Sequence, residues 1–240
     1  MAELKLVETE TKTEQPKPEP LHLPGASDRT VIVGQNGSGK TWFGVWLLSH
    51  QDYDRRPWIV IDYKREELFA QLGKNVYRSR LDPDSAAPKK PGLHLIQPFE
   101  SDDEAMDSFL WRVWQRGGIG IYIDEGTMIP AGKGSAMRAI LTQGRSMKIP
   151  VIALSQRPVD IDRFFFSEAK FFAEFYLMDR DDRVTVKRYA PFDPNQVPDP
   201  FHCYWYDAQR RQVRYLSPVP DSATFLDRMR SRAPRRLWFG

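Results

Sequence analysis

Three groups of residues in this 240-residue chain have the types and spacing that phosphoryl chemistry needs. The first is GQNGSGKT, which fits the pattern GxxxxGK[ST] of a phosphate-binding loop. Glycines there let successive backbone N–H groups converge on phosphate oxygens without a Cβ in the way, and a helix starting near Lys40 adds its positive N-terminal dipole. Gly34, Gln35, Asn36, Gly37, Ser38, Gly39, Lys40, Thr41 and Trp42 are therefore the candidate nucleotide-binding residues. Lys40 would reach the β- and γ-phosphates of ATP, and the Thr41 hydroxyl would ligate Mg²⁺.

The second group is IGIYIDE, a continuous apolar run that ends in two acids. Asp124 is placed to hold Mg²⁺ through water, and Glu125 to polarise an attacking water and take its proton. Third comes GRSMKIPVIALSQRPVDID, in which Gln156 ends another apolar run. Its amide would meet the γ-phosphate or the lytic water.

These groups need elements to carry them. Thr30 to Val33 reads as a buried strand, and Trp42, Phe43, Val45, Trp46 and Leu47 as a helix packed against it. A second strand is expected over Trp58 to Asp62 and a short helix over EELFAQL, then a surface loop YRSRLDPDSAAPKKPG and a third strand GLHLIQP. In SDDEAMDSFLWRVWQRGG, Ser101 and Glu104 form a capping box, Met106, Phe109, Leu110, Val113 and Trp114 share one face, and Gly117 ends the helix. The loop AGKG leads into a helix with Met137, Ile140 and Leu141 inward, followed by the strand of IPVIALS. FFFSEAKFFAEFYLM reads as a helix and then a strand, and FHCYWYDAQRRQVRYLSPV as a hairpin turning near Ala208. Alternating strands and helices imply an α/β fold, three layers αβα around a mainly parallel sheet, with a C-terminal β-hairpin and helix. The expected division is a disordered tail over 1–28, a core over 29–200, and a hairpin, helix and basic tail over 201–240.

Composition narrows the possibilities. The chain has the apolar and charged fractions of a globular protein, and no apolar run approaches the roughly 18–20 residues that span a bilayer. With no hydrophobic leader either, it is expected to be intracellular. One cysteine, Cys203, precludes an internal disulfide, and His22, His50, His94 and His202 lack metal-ligand spacing. The net charge of +3 is uneven: from Gln209 onward eight arginines face two acids, which suggests a polyanionic partner.

On GQNGSGKT, IYIDE and above all GRSMKIPVIALSQRPVDID, the chain resembles the FtsK/HerA superfamily of ring-forming DNA-pumping ATPases, with Ser155 in place of the family's threonine. The resemblance covers roughly residues 29–178. It implies the catalytic-glutamate sheet order, with the Gln156 strand between the P-loop strand and the Asp124 strand. It also implies a homo-oligomeric ring, hexamer or pentamer, acting on double-stranded DNA without regard to sequence, with each site completed by an arginine from the neighbouring subunit. Arg145 is the candidate for that arginine, with Arg138 and Arg157 as competitors. Lys133 would face a central pore, and Arg78, Arg80, Lys89 and Lys90 lie on another loop that would meet phosphates. So compact a chain looks like the genome-packaging ATPases of bacteriophages and other viruses, which work with a portal, capsid-vertex or membrane-protein partner in the host cytoplasm or at the packaging vertex. A plasmid or conjugation DNA pump, a secretion or morphogenesis ATPase, a P-loop kinase and a non-hydrolysing scaffold are the other readings.

Overall fold

The computed structural model describes residues 20–233. Most of the expected tail, residues 1–19, lies outside them. Residues 20–28 run against the fold: His22 Nδ1 sits 2.5 Å from the Asp207 carboxylate, and Leu21 and Leu23 pack on the buried apolar cluster beneath α1 and α7.

The elements in chain order are β1 (Arg29–Val33), α1 (Lys40–Ser49), β2 (Pro57–Ile61), α2 (Glu67–Ala70), β3 (Val76–Ser79), β4 (Gly92–Ile96), α3 (Asp103–Arg116), β5 (Gly120–Ile123), α4 (Ala136–Gln143), β6 (Val151–Ser155), α5 (Arg163–Ser167), β7 (Phe171–Glu174), α6 (Arg180–Lys187), β8 (Cys203–Asp207), β9 (Gln212–Leu216) and α7 (Ser222–Arg232). The strands form one sheet in the order β3-β4-β2-β5-β6-β1-β7-β8-β9, parallel from β3 to β7, with β8 and β9 antiparallel at the end. β6 lies between β1 and β5, the order expected of the catalytic-glutamate type. The hairpin continues the same sheet rather than standing apart from it.

Alternation along the central strands explains the three layers. Val31, Val33, Ile59, Ile61, Ile121 and Ile123 point to one face, where α3, α4, α5 and α6 cover them. Ile32, Trp58, Val60, Tyr122 and Leu154 point to the other, under α1, α2 and α7. Burial on both faces is why these strands read as unbroken apolar runs.

Three local expectations are corrected. Tyr77 to Ser79, read as the start of a loop, belong to the edge strand β3; only Val76 of its four residues is buried, so no alternation marked it. The expected Ser101 and Glu104 capping box does not form. Instead, a 3₁₀ turn over Glu100–Asp102 precedes α3, and the Asp102 carboxylate accepts from the Phe99 amide at 2.9 Å. Trp42 does not face β1; it is 44% exposed and its ring meets the edge of Phe225 in α7 at 6.1 Å.

One close approach fixes the strand spacing near the site. Gly120 pairs directly with Trp58, and a Cβ at 120 would fall 2.1 Å from the Trp58 ring. Trp58 is wholly buried and donates through Nε1 to Asp52 at 3.0 Å, so the ring has nowhere to move. Gly120→Ala is expected to lower unfolding free energy by about 3 kcal/mol, the overpacking cost. A chemical denaturation midpoint checks this.

Candidate functional site

The sheet register brings the sequence-derived residues to one edge. Val33 pairs with Ser155, and Ile123 with Ala153. The residues after β1, β6 and β5, namely Gly34, Gln156 and Asp124, thus emerge side by side at the carboxyl ends of parallel strands, the usual place for a ligand in an α/β sheet.

The loop between β1 and α1 is tethered by Gly34 N to Ser155 O at 3.2 Å and Gln35 N to Tyr176 O at 3.0 Å. Gly37 and Gly39 have φ of 76° and 100°, which glycine adopts without strain. A Cβ at 37 would meet nothing within 4 Å, so the cradle stays open. No side chain caps α1, leaving its first amides free to bind an anion. Lys40 is 3% exposed, and burial, reinforced by Lys64, lowers its pKa to about 8. Thr41 lies at the half-buried rim, while Asn36 and Gly37 are exposed. A cavity of 490 Å³ opens over this loop.

Asp124 is fully buried and neither carboxylate oxygen accepts a hydrogen bond. Burial raises its pKa to about 7 against the opposing charge of Lys64. Such an orphaned acceptor fits a divalent cation, and a buried lysine beneath open amides fits polyphosphate.

Glu125 is held differently. Thr127 Oγ1 donates to Oε1 at 3.0 Å, Gln156 Nε2 to Oε2 at 3.0 Å, and the Gln156 amide approaches Oε1 at 3.4 Å. Lys64 Nζ stands 2.8 Å from Oε2 and 3.8 Å from Asp124 Oδ2. Gln156, expected at the phosphate or the lytic water, is thus bonded to the glutamate itself. Lys64 escaped the sequence reading. Its signal was available in DYK, a charged residue just past a buried strand at the same sheet edge.

Of the three arginines, only Arg157 lies at this edge, with Nε 3.3 Å from Asp182 and Nη2 3.6 Å from Asp179 at the start of α6. Arg138 stacks over Phe164 at 4.2 Å. Arg145 is exposed at the opposite edge of the sheet, its charge felt by Arg29 at the start of β1. The structure does not bring it to its own P-loop.

The chain is 40% identical over 220 residues to the DNA packaging ATPase P9 of Enterobacteria phage PRD1, covering 87% of this chain and 94% of that protein. The chain belongs to this family of viral DNA packaging ATPases. No protein-family model matches it. Among solved structures, the genome packaging NTPase B204 of Sulfolobus turreted icosahedral virus 2, in complex with AMPPCP, superposes with a TM-score of 0.62 at 17% identity. It covers 82% of this chain and 100% of that one. The cytoplasmic domain of the type VII secretion ATPase EccC from Thermomonospora curvata gives 0.55 at 13% identity, covering 90% of this chain and 30% of that one. The three-layer α/β fold with a mainly parallel sheet is therefore shared with B204 and with the EccC ATPase domain.

The basic groups expected to meet phosphates are partly engaged within the fold. Arg78 donates to Phe69 O at 3.2 Å, Arg230 to Gln71 O at 3.1 Å, and Arg232 to Ser49 O at 3.0 Å and Asp54 at 2.9 Å. Lys133, Arg80, Lys89 and Lys90 are exposed. Arg235 and Arg236 lie outside the described residues. Among those residues no helix is long and apolar enough to cross a membrane.

Proposed function

We propose that this chain is the ATP-hydrolysing subunit of a viral genome-packaging motor that moves double-stranded DNA through a homo-oligomeric ring. The observation that carries the reading is the convergence of buried Lys40, orphaned Asp124 and hydrogen-bonded Glu125 at one sheet edge, in a chain of the packaging family. Gly34 to Trp42 wrap the phosphates with backbone amides, and Lys40 neutralises the terminal ones. Thr41 and Asp124 are the groups that would hold Mg²⁺, which when bound supplies charge neutralisation at the phosphoryl oxygens. Glu125 orients a water and accepts its proton.

Gln156 links hydrolysis to motion. Its side chain holds Glu125, and the next residue, Arg157, is tied to the carboxylates at the start of α6. A change in Glu125 contacts is thereby passed to that helix. Arg145 of one subunit completes the site of the next, and Lys133 and the exposed basic loops meet DNA phosphates. Backbone contacts of that kind are blind to sequence and weaken steeply with salt. A portal, capsid-vertex or membrane-protein partner would place the ring at the virion.

The test is an ATPase titration with unrelated duplex DNAs, alongside particle mass measured with and without nucleotide. Activity is expected to rise with every duplex and to lose that rise as salt increases. An assembled preparation that duplex DNA does not stimulate at low salt would overturn the DNA motor.

A further inference from the structure

The cavity over the P-loop is larger than the phosphate cradle, and its outer half is built by residues far away in sequence. Phe201, Pro218 and Val219, which flank the C-terminal hairpin, line it together with Trp42. Phe201 is the odd member. It has φ of 62°, a genuine outlier for a bulky residue, and yet its ring is 57% exposed. Burial of that ring therefore does not explain the strain.

The surrounding contacts hold the strained turn in place. Asp199 N donates to Tyr215 Oη at 2.9 Å, and Tyr215 Oη donates to the Asp199 carboxylate at 2.9 Å. His202 stacks on the Tyr215 ring at 5.3 Å, nearly parallel at 12°. With the turn pinned from both sides, the Phe201 ring is set beside Gly39; a Cβ built on that glycine would lie 3.3 Å from Phe201 Cδ1. Strain maintained by surrounding structure is characteristic of ligand clamps. Trp42 is braced by Phe225 of α7.

From this geometry we infer that Phe201 and Trp42 form a nucleobase platform, which binds the base of the triphosphate by its flat face. The inference rests on the P-loop reading and adds to it what the base end recognises. Among the described residues lining the cavity, Asn36, Lys40 and Thr41 belong to the phosphate-binding loop and Glu66 acts on Lys40, which leaves Ser217 as the polar side chain contributed by the hairpin side. A stacking surface with so little to read a base edge accepts adenine and guanine alike.

Calorimetric titration of ATP, GTP and inorganic tripolyphosphate separates the two levels. Wild-type protein is expected to bind ATP and GTP within a few-fold of each other, and both more tightly than tripolyphosphate. Phe201→Gly suits the left-handed backbone and removes only the ring, so folding is kept. It should weaken ATP and GTP about ten-fold, the scale of one stacked ring, and leave tripolyphosphate unchanged. Trp42→Ala should show the same pattern. Equal losses for tripolyphosphate and ATP, unchanged ATP affinity in Phe201→Gly, or a strong preference for one base would overturn the platform while leaving the P-loop reading intact. Failure of wild-type protein to bind any of the three would overturn both.

Discussion

Glu125→Gln is expected to bind ATP as well as the wild type and to hydrolyse it about a thousand-fold more slowly, the middle of the range for loss of a general base. The variant keeps the shape of the side chain, and its amide oxygen can still accept from Thr127 or Gln156. What it loses is the ability to take a proton. None of the groups in the P-loop touches Glu125, so affinity should hold. The contacts also say how the wild-type residue can act. A carboxylate has about four lone-pair positions, and here Thr127 and two donors of Gln156 engage three of them, while Lys64 Nζ stands 2.8 Å from Oε2 as an ion-pair partner. The remaining position is where a water can be accepted. Equilibrium ATP binding and single-turnover hydrolysis, measured on the same preparation, check the prediction. Hydrolysis by the variant at a rate close to wild type would remove Glu125 from the chemistry.

Much of this site was legible because its parts sit where an unbroken apolar run meets polar residues. VIVGQNGSGKT, IYIDE and IALSQ share that form, and a parallel strand buried on both faces produces it at its carboxyl end. The same logic applied to IVIDYK would have found Lys64, but no recognised spacing drew attention to it. Other features were hidden for different reasons. β3 is an edge strand of four residues with one buried side chain, so it carries no periodic signal. Trp42 belongs to an apolar helix, and which of its faces turns to the sheet is decided by α7, some 180 residues further along the chain. The base end of the cavity depends on the same long-range closure, since the hairpin that Phe201 and Val219 flank is joined to the sheet through the pairing of β7 with β8. Single-segment patterns cannot express a wall built that way.

Arg145 offers the sharpest test of assembly, because its position forbids action on its own site. It is exposed at the edge of the sheet away from the P-loop, and no hydrogen bond or ion pair holds its side chain among the described residues. Its competitors are engaged: Arg157 with three carboxylates, Arg138 over an aromatic ring. A free guanidinium on the far edge is what a head-to-tail ring needs, since each subunit then presents its far edge to its neighbour's open site. That site has an entrance: Lys64, Glu125, Gln156 and Arg157 line a surface opening of 410 Å³. Arg145→Ala should therefore fold normally and lose about a thousand-fold or more in turnover, as arginine fingers do. Lys40→Ala should be equally inactive for a different reason, the loss of phosphate binding. Mixed in equal amounts, the two should regain activity, because about one interface in four joins an intact P-loop to an intact Arg145. Steady-state ATPase of the mixture against each variant alone is the measurement. A mixture no more active than its parts, in rings shown by mass to contain both, would exclude Arg145 as the group supplied across the interface. Near-normal activity of Arg145→Ala alone would exclude it more directly.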